Sequence, residues 1–305
     1  MEEIYSSQVP VEPETPKNEV KIPSFFYTYK KQFEEELEAH MDLFGPPTVL
    51  REACHYALLN GGKRFRPIIV FMMAKALGKK LSVVFSAMAV EFFHTASLVA
   101  DDLPCMDDDD LRRNKPSVHK VFGETTALLA TYGLIAAGYQ CISLNAQALH
   151  AKTQANDQVC ALAVENASLN TGLLGATGGQ YLDIFPPGQT EEEIREILQK
   201  KTVSLFEIAF VMGWLFGGGD PQRLPEVKQA ALHFGMAFQL ADDIDDMEQD
   251  RQKGSLGNFA VAFGKERALQ VFYAEIEAFR EVLQALQLSS PELKELELFL
   301  IQQVQ

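Results

Sequence analysis

The chain has 305 residues, 47% of them hydrophobic and 23% charged, which supplies apolar side chain for one large core. Its formal net charge is −15 and its pI about 4.9. No basic stripe is available to neutralise a nucleic-acid backbone, so a nucleic-acid partner is excluded. Cys54, Cys105, Cys141 and Cys160 are widely spaced, with no Cys-x-x-Cys pair. They read as reduced thiols in a cytoplasmic compartment.

Residues 1–21 contain three prolines and many charges but no apolar run. That is neither a signal peptide nor a transit peptide, and it reads as a disordered tail ahead of a folded domain over 22–305. An amphipathic helix is expected over 24–44, broken by Gly45-Pro46-Pro47, and another over 48–60. Gly61-Gly62-Lys63-Arg64-Phe65-Arg66-Pro67 reads as a loop that opens the next helix at Pro67. Helices follow over 68–77 and 82–102. The uncharged stretch 125–151 has the length of a membrane span. Its polar residues, among them Thr131, Gln140, Asn145 and His150, favour a helix buried on all sides in a soluble bundle. Further helices are expected over 157–174, 190–216, 226–250, 257–286 and 291–304, with a capping box of Thr190 and Glu193. Gly175, Gly178 and Gly179 punctuate the chain before Gln180 and Asp183. No run alternates as a strand should, so the fold class is all-α.

Two helices end in acid. The first runs into Asp101-Asp102-Leu103-Pro104-Cys105-Met106-Asp107-Asp108-Asp109-Asp110, followed by Leu111-Arg112-Arg113. The second carries Phe238-Gln239-Leu240-Ala241-Asp242-Asp243-Ile244-Asp245-Asp246. Carboxylates crowded in this way repel one another and call for cations. All-oxygen donors favour hard ions such as Mg²⁺, which in turn favour phosphate oxygens. In a regular helix Asp107 would lie about 240° around from Asp101, off the shared face. Pro104 should stop the helix and let the chain bring Asp107 back. Asp242 and Asp246 are four apart and share one helix face directly. His94, seven residues before Asp101, lies close to the same stripe. Lys63 and Arg66, in a glycine-rich loop before a helix start, suit an anion.

These motifs resemble those of the trans-isoprenyl diphosphate synthases, the farnesyl and geranylgeranyl diphosphate synthases, over about residues 45–264. The resemblance implies a single-domain isoprenoid-synthase-type helical bundle around a central cavity. It implies Mg²⁺-dependent head-to-tail condensation of isopentenyl diphosphate with an allylic diphosphate, three Mg²⁺ per site, and a homodimer. By this resemblance Asp101, Asp102 and Asp107 would gather two Mg²⁺, and Asp242, with Asp243 and Asp246, a third. Lys63, Arg66, His94 and Arg113 would bind isopentenyl diphosphate. Arg112, Lys201, Thr202 and Gln239 would meet the allylic substrate. Two basic sets distinguish such a synthase from a terpene cyclase, which needs one diphosphate site. Two complete aspartate clusters distinguish it from a non-catalytic partner subunit.

The chain departs from the family pattern at Val203, where glycine usually follows the Lys-Thr pair, and over 250–260, which is shortened and lacks a second lysine. Lys253 or Arg251 is the expected substitute. The resemblance also implies that the residue five before the first aspartate helps set the depth of a product tunnel; here it is the small Ala96, next to Ser97, with Phe92 one turn deeper. That predicts a C20 product in preference to C15. His119, in the polar loop after Arg113, is given no role.

Overall fold

The computed structural model describes residues 23–153, 158–253 and 257–305, so the tail expected over 1–21 lies outside the described residues. In chain order the helices are α1 (Ser24–Ala39), α2 (Val49–Leu58), α3 (Phe65–Ala76), α4 (Val84–Asp101), α5 (Val118–Phe122), α6 (Glu124–Thr153), α7 (Gln158–Thr171), α8 (Ala176–Ile184), α9 (Glu191–Leu198), α10 (Ser204–Phe216), α11 (Leu224–Asp245), α12 (Met247–Lys253), α13 (Phe259–Phe263), α14 (Lys265–Ala285) and α15 (Pro291–Gln303). The fold is all-α. Its only β structure among the described residues is a ribbon of two two-residue strands, β1 (Leu111–Arg112) and β2 (Lys115–Pro116).

The architecture follows from a helix with no polar face. Every residue of α10 except Glu207 is buried. Such a helix must be enclosed, and α3, α4, α7 and α11 enclose it. Aromatic rings join the layers: Phe206 of α10 lies 4.9 Å from Phe238 of α11, and Phe234 of α11 lies 5.5 Å from Phe279 of α14. On the other side α6 packs along α4. Gly138 permits that approach, because a Cβ there would stand 2.5 Å from the Phe93 ring.

Local signals set the boundaries. The capping box at α9 is formed: the Glu193 amide donates to Thr190 Oγ1 at 3.3 Å and the Thr190 amide to Glu193 Oε2 at 2.9 Å. A cap of this kind contributes about 1 kcal/mol.

Five boundaries differ from the sequence reading. The helix α3 begins at Phe65, placing Pro67 inside its first turn, where its missing N–H costs nothing. The glycines 178 and 179 lie within a helix, α8, and do not break the chain. Gly179 is there for contact, since a Cβ would lie 2.3 Å from the Lys201 amide nitrogen. The expected helix over 190–216 is interrupted by a π turn at Gln199–Val203. The expected helix over 226–250 stops at Asp246 and restarts as α12. Gly264, at φ +85°, separates α13 from α14. Lastly, α6 is not buried on all sides: Leu128, Leu129, Tyr132 and Ile135 form one exposed apolar face.

Candidate active site

The first aspartate cluster is shaped by the end of α4. Asp101 closes the helix, and Pro104 lies in the turn beyond it. The chain then folds back, with the Asp107 amide donating to the Asp101 carbonyl at 2.9 Å. The six-residue spacing thus closes into one loop carrying both residues. Asp102 is buried, and its Oδ1 accepts from Arg112 Nε at 2.8 Å and also from Arg112 Nη2. Arg112 also reaches Asp109, at 3.1 Å.

Arg112 and Arg113 belong to the ribbon. Leu111 faces Pro116 and Arg112 faces Lys115, leaving Arg113 and Asn114 as the two turn residues, at φ +55° and +62°. Two left-handed residues make the turn that matches strand twist, and Arg113 adopts that conformation without being glycine. Its guanidinium crosses to the Gly61–Arg66 loop and donates to the Gly61 carbonyl. Gly62, at φ +111°, lies under that guanidinium, and a Cβ there would stand 2.4 Å from Arg113 Cζ.

Two further arginines follow that loop closely, Arg64 at its end and Arg66 in the first turn of α3. Arg64 is buried and points inward, donating to Glu91 of α4 and to the Leu58 carbonyl. Arg66 points towards the site: its guanidinium lies 4.4 Å from the Phe206 ring centroid, and its Nη1 lies 3.3 Å from His94 Nε2. Arginine can only donate, so Nε2 is the acceptor nitrogen and the His94 proton sits on Nδ1. Burial, then Arg66 and Arg113, push His94 well below its ordinary pKa, so it is neutral. Lys63 is exposed at the loop's rim.

The third wall is the π turn. Such turns displace a helix face locally and recur at functional sites. This one carries Lys201, which pairs with Asp183 of α8, and Thr202, which donates to Gln239 Oε1 of α11 at 2.8 Å. Val203, the departure from the usual glycine, is buried against Gly235 of α11, where a Cβ would stand 3.0 Å from Val203 Cγ2.

Along α11, Asp242 and Asp246 stand one turn apart, the Asp246 amide donating to the Asp242 carbonyl at 2.9 Å. Asp243 is buried, and both its oxygens accept from protein donors: Gln239 Nε2 and the Phe259 amide, each at 2.8 Å. Two couplings run between the elements that carry the clusters. Lys201 pulls Asp101 down electrostatically, while the adjacent Thr202 bonds Gln239 on α11. Arg66 pulls on Asp242 and touches His94 on α4.

Burial raises Asp101 to about 7, with Asp107 pushing it further and Lys201 opposing. It raises Asp242 to about 6, with Lys63 and Arg66 opposing and Asp246 adding to the rise. Carboxylates held this high gain from a cation, and an all-oxygen donor set suits a hard divalent ion. The residues present therefore fit Mg²⁺.

Sequence reading missed several supporting residues. Asn258 donates to the Asp243 carbonyl and Glu91 holds the neighbouring Arg64, yet nothing local marks either, while Asp183, noted in the sequence without a site role, pairs with Lys201. His119 is buried, with Nδ1 3.1 Å from Ser117 Oγ, and a ring nitrogen lies within 4.8 Å of Asp108 and Asp110 oxygens. Of the substitutes expected for the missing lysine, Arg251 is exposed and pairs with Glu248 at 2.9 Å. The side chain of Lys253 and residues 254–256 lie outside the described residues.

Residues 47–257 match the family model described as polyprenyl synthetase. The chain is 36% identical over 240 residues to the farnesyl diphosphate synthase of Bacillus subtilis, covering 76% of this chain and 78% of that one. It is 34% identical over 252 residues to geranylgeranyl pyrophosphate synthase 9 of Arabidopsis thaliana, covering 80% and 69%. Among solved structures, a geranyltransferase from Legionella pneumophila superposes with a TM-score of 0.77 at 29% identity, over 92% of this chain and 95% of that one.

Proposed function

Because this chain belongs to the polyprenyl synthetase family and is a prenyltransferase, we infer that it joins isopentenyl diphosphate head-to-tail to an allylic diphosphate. The product is a short-chain all-trans prenyl diphosphate, geranylgeranyl (C20) in preference to farnesyl (C15). The observation that carries this reading is the pairing of two aspartate clusters with two separate basic sets around one space.

In this reading Asp101, Asp102 and Asp107 hold Mg²⁺ from one side, and Asp242 and Asp246 from the other, with three ions expected per site. Asp243 stands behind them with both oxygens already satisfied. Bound Mg²⁺ would stabilise the negative charge that builds on the departing diphosphate. Arg112 and Lys201 face the same leaving group. Arg66 and Arg113, with Lys63 at the rim and neutral His94 beside Arg66, hold isopentenyl diphosphate with its double bond towards the allylic carbon. The allylic C–O bond breaks, the double bond attacks the resulting cation, and one proton leaves the new chain. The released diphosphate takes that proton, so no side-chain base is required. Thr202 and Gln239 flank the reacting carbon, and the apolar helix walls exclude water from the cation.

The product grows along α4. Ala96 is buried and small, and Phe92, one turn deeper, packs on Phe44 with ring centroids 5.3 Å apart. One helical turn adds about 5–6 Å of depth, roughly one isoprene unit. The exposed face of α6, with Leu128, Leu129, Tyr132 and Ile135, is proposed as the contact of a homodimer. The four cysteines form no disulfide, and a reducing, cytoplasmic setting is proposed.

The test is a product assay. Protein, Mg²⁺ and isopentenyl diphosphate are incubated with C5, C10 or C15 allylic starters, and the products are dephosphorylated and sized. A C20 alcohol is expected. A C15 end point contradicts the tunnel reading, and no elongation from any starter contradicts the function.

A further inference from the structure

Asp243 sits in the second aspartate cluster, yet its surroundings differ from those of its neighbours. It is 5% exposed, and neither oxygen is idle. Oδ1 accepts from Gln239 Nε2 and Oδ2 from the Phe259 amide, each at 2.8 Å. Its main-chain carbonyl accepts from Asn258 Nδ2 at 2.9 Å. The Gln239 amide nitrogen is the donor to Asp243, so Gln239 Oε1 faces away from it. The Thr202 hydroxyl then has one arrangement left, and it donates to Gln239 Oε1 at 2.8 Å.

We propose that Asp243 is a positioning residue, not a metal ligand: it fixes the polarity of the Gln239–Thr202 pair and ties it to the start of α13. The proposal rests on the condensation reading above. Every hydrogen in the chain points towards Asp243. Thr202 spends its proton on Gln239, so both residues keep lone pairs, and no O–H, for the electron-poor allylic carbon. Oxygen lone pairs stabilise developing positive charge, whereas a proton pointed there would oppose it. The link to Phe259 adds a mechanical role, because the backbone that follows 254–256 is anchored through the same carboxylate.

Asp243→Asn tests the polarity. The asparagine oxygen keeps the Phe259 amide, and its NH₂ then faces Gln239, which must flip and turn the Thr202 proton outward. The expected result is a fall in kcat of roughly 10²-fold with the KM for isopentenyl diphosphate little changed. Mg²⁺ binding in the presence of inorganic pyrophosphate, read by calorimetry, should stay within about threefold of the parent, while Asp242→Asn weakens it by at least about tenfold. Equal weakening in both variants would overturn the proposal. The unmodified protein supplies a second readout should Asp243→Asn not fold. Each Asp243 oxygen keeps a second lone pair beside its hydrogen bond, so metal contact is read at the carboxylate itself, by the side-chain carboxyl carbon resonance of the parent protein. That resonance is expected to move little on adding Mg²⁺ and pyrophosphate, and a displacement as large as that of Asp242 would contradict the assignment. The resonance and metal binding are read without turnover, so they separate this proposal from the condensation reading, which the product assay judges.

Discussion

A single glycine illustrates how a motif residue serves the site without touching a ligand. Gly62 adopts φ +111° and lies under the Arg113 guanidinium, where a Cβ would intrude to 2.4 Å. The intruding contact is the far end of a flexible side chain, so Gly62→Ala should move Arg113 and leave the fold intact, with a backbone cost of roughly 1–3 kcal/mol at that φ. Losing one charge-assisted contact to a diphosphate is worth roughly 1.5–3 kcal/mol. The KM for isopentenyl diphosphate should rise about tenfold or more, by the same magnitude, while the KM for the allylic substrate stays near that of the parent. Equal effects on both would contradict the placement of Arg113.

The aspartates give a second expectation at this scale. Asp101 is raised to about 7 and Asp242 to about 6, both chiefly by burial. Folded pKa values above the unfolded ones mean that these groups favour the metal-free fold at low pH. That contribution is lost as pH rises through about 6 to 7. Metal binding shows the opposite trend, because it needs the deprotonated forms and releases protons. The half-saturating Mg²⁺ concentration should therefore be at least about tenfold higher at pH 6 than at pH 8. A flat profile would contradict the raised values.

At the scale of elements, the chain's own signals account for α4 and its aspartates better than for the wall opposite. Pro104 and the spacing of Asp101 and Asp107 foretell a returning loop, and the Asp107-to-Asp101 hydrogen bond closes it. Thr190 and Glu193 announce α9 in the same local way. The π turn was not legible. Gln199-Lys200-Lys201-Thr202-Val203 reads as ordinary helix, and its widened turn goes with the close approach of Gly179 on α8, which lies far away in sequence. Asp243 was equally opaque, since its donors come from Gln239 one turn back and Phe259 across a loop. Local sequence encodes caps and stops, whereas the partners of a buried carboxylate are tertiary facts. The product reading belongs to α4 as well. Ala96→Phe should close the space one turn above Phe92 and shift the main product to C15 or shorter. An unchanged product distribution would contradict the role given to Ala96.

For the whole molecule, the exposed face of α6 is the feature one chain leaves unresolved. Residues 124–152 have a mean hydropathy of 1.4 in their most apolar window, of which 44% is buried. Leu128, Tyr132 and Ile135 recur at helical spacing, and Tyr132 is 60% exposed. An exposed apolar face of this kind calls for a cover, and a second copy of α6 offers the same surface. Leu129→Glu with Tyr132→Glu should halve the mass measured by sedimentation, and a mass unaffected by the pair would move the interface elsewhere. In the function proposed here, one cavity binds two diphosphates by different means, one through Mg²⁺ held by aspartates and one through Lys63, Arg66 and Arg113. The most direct measurement is equilibrium binding of isopentenyl diphosphate and of a non-ionisable allylic diphosphate analogue, each with Mg²⁺ and with a chelator. The chelator is expected to abolish binding of the analogue and to change that of isopentenyl diphosphate by no more than about threefold, since arginine and lysine alone hold it. Loss of both with the metal, or of neither, would contradict it.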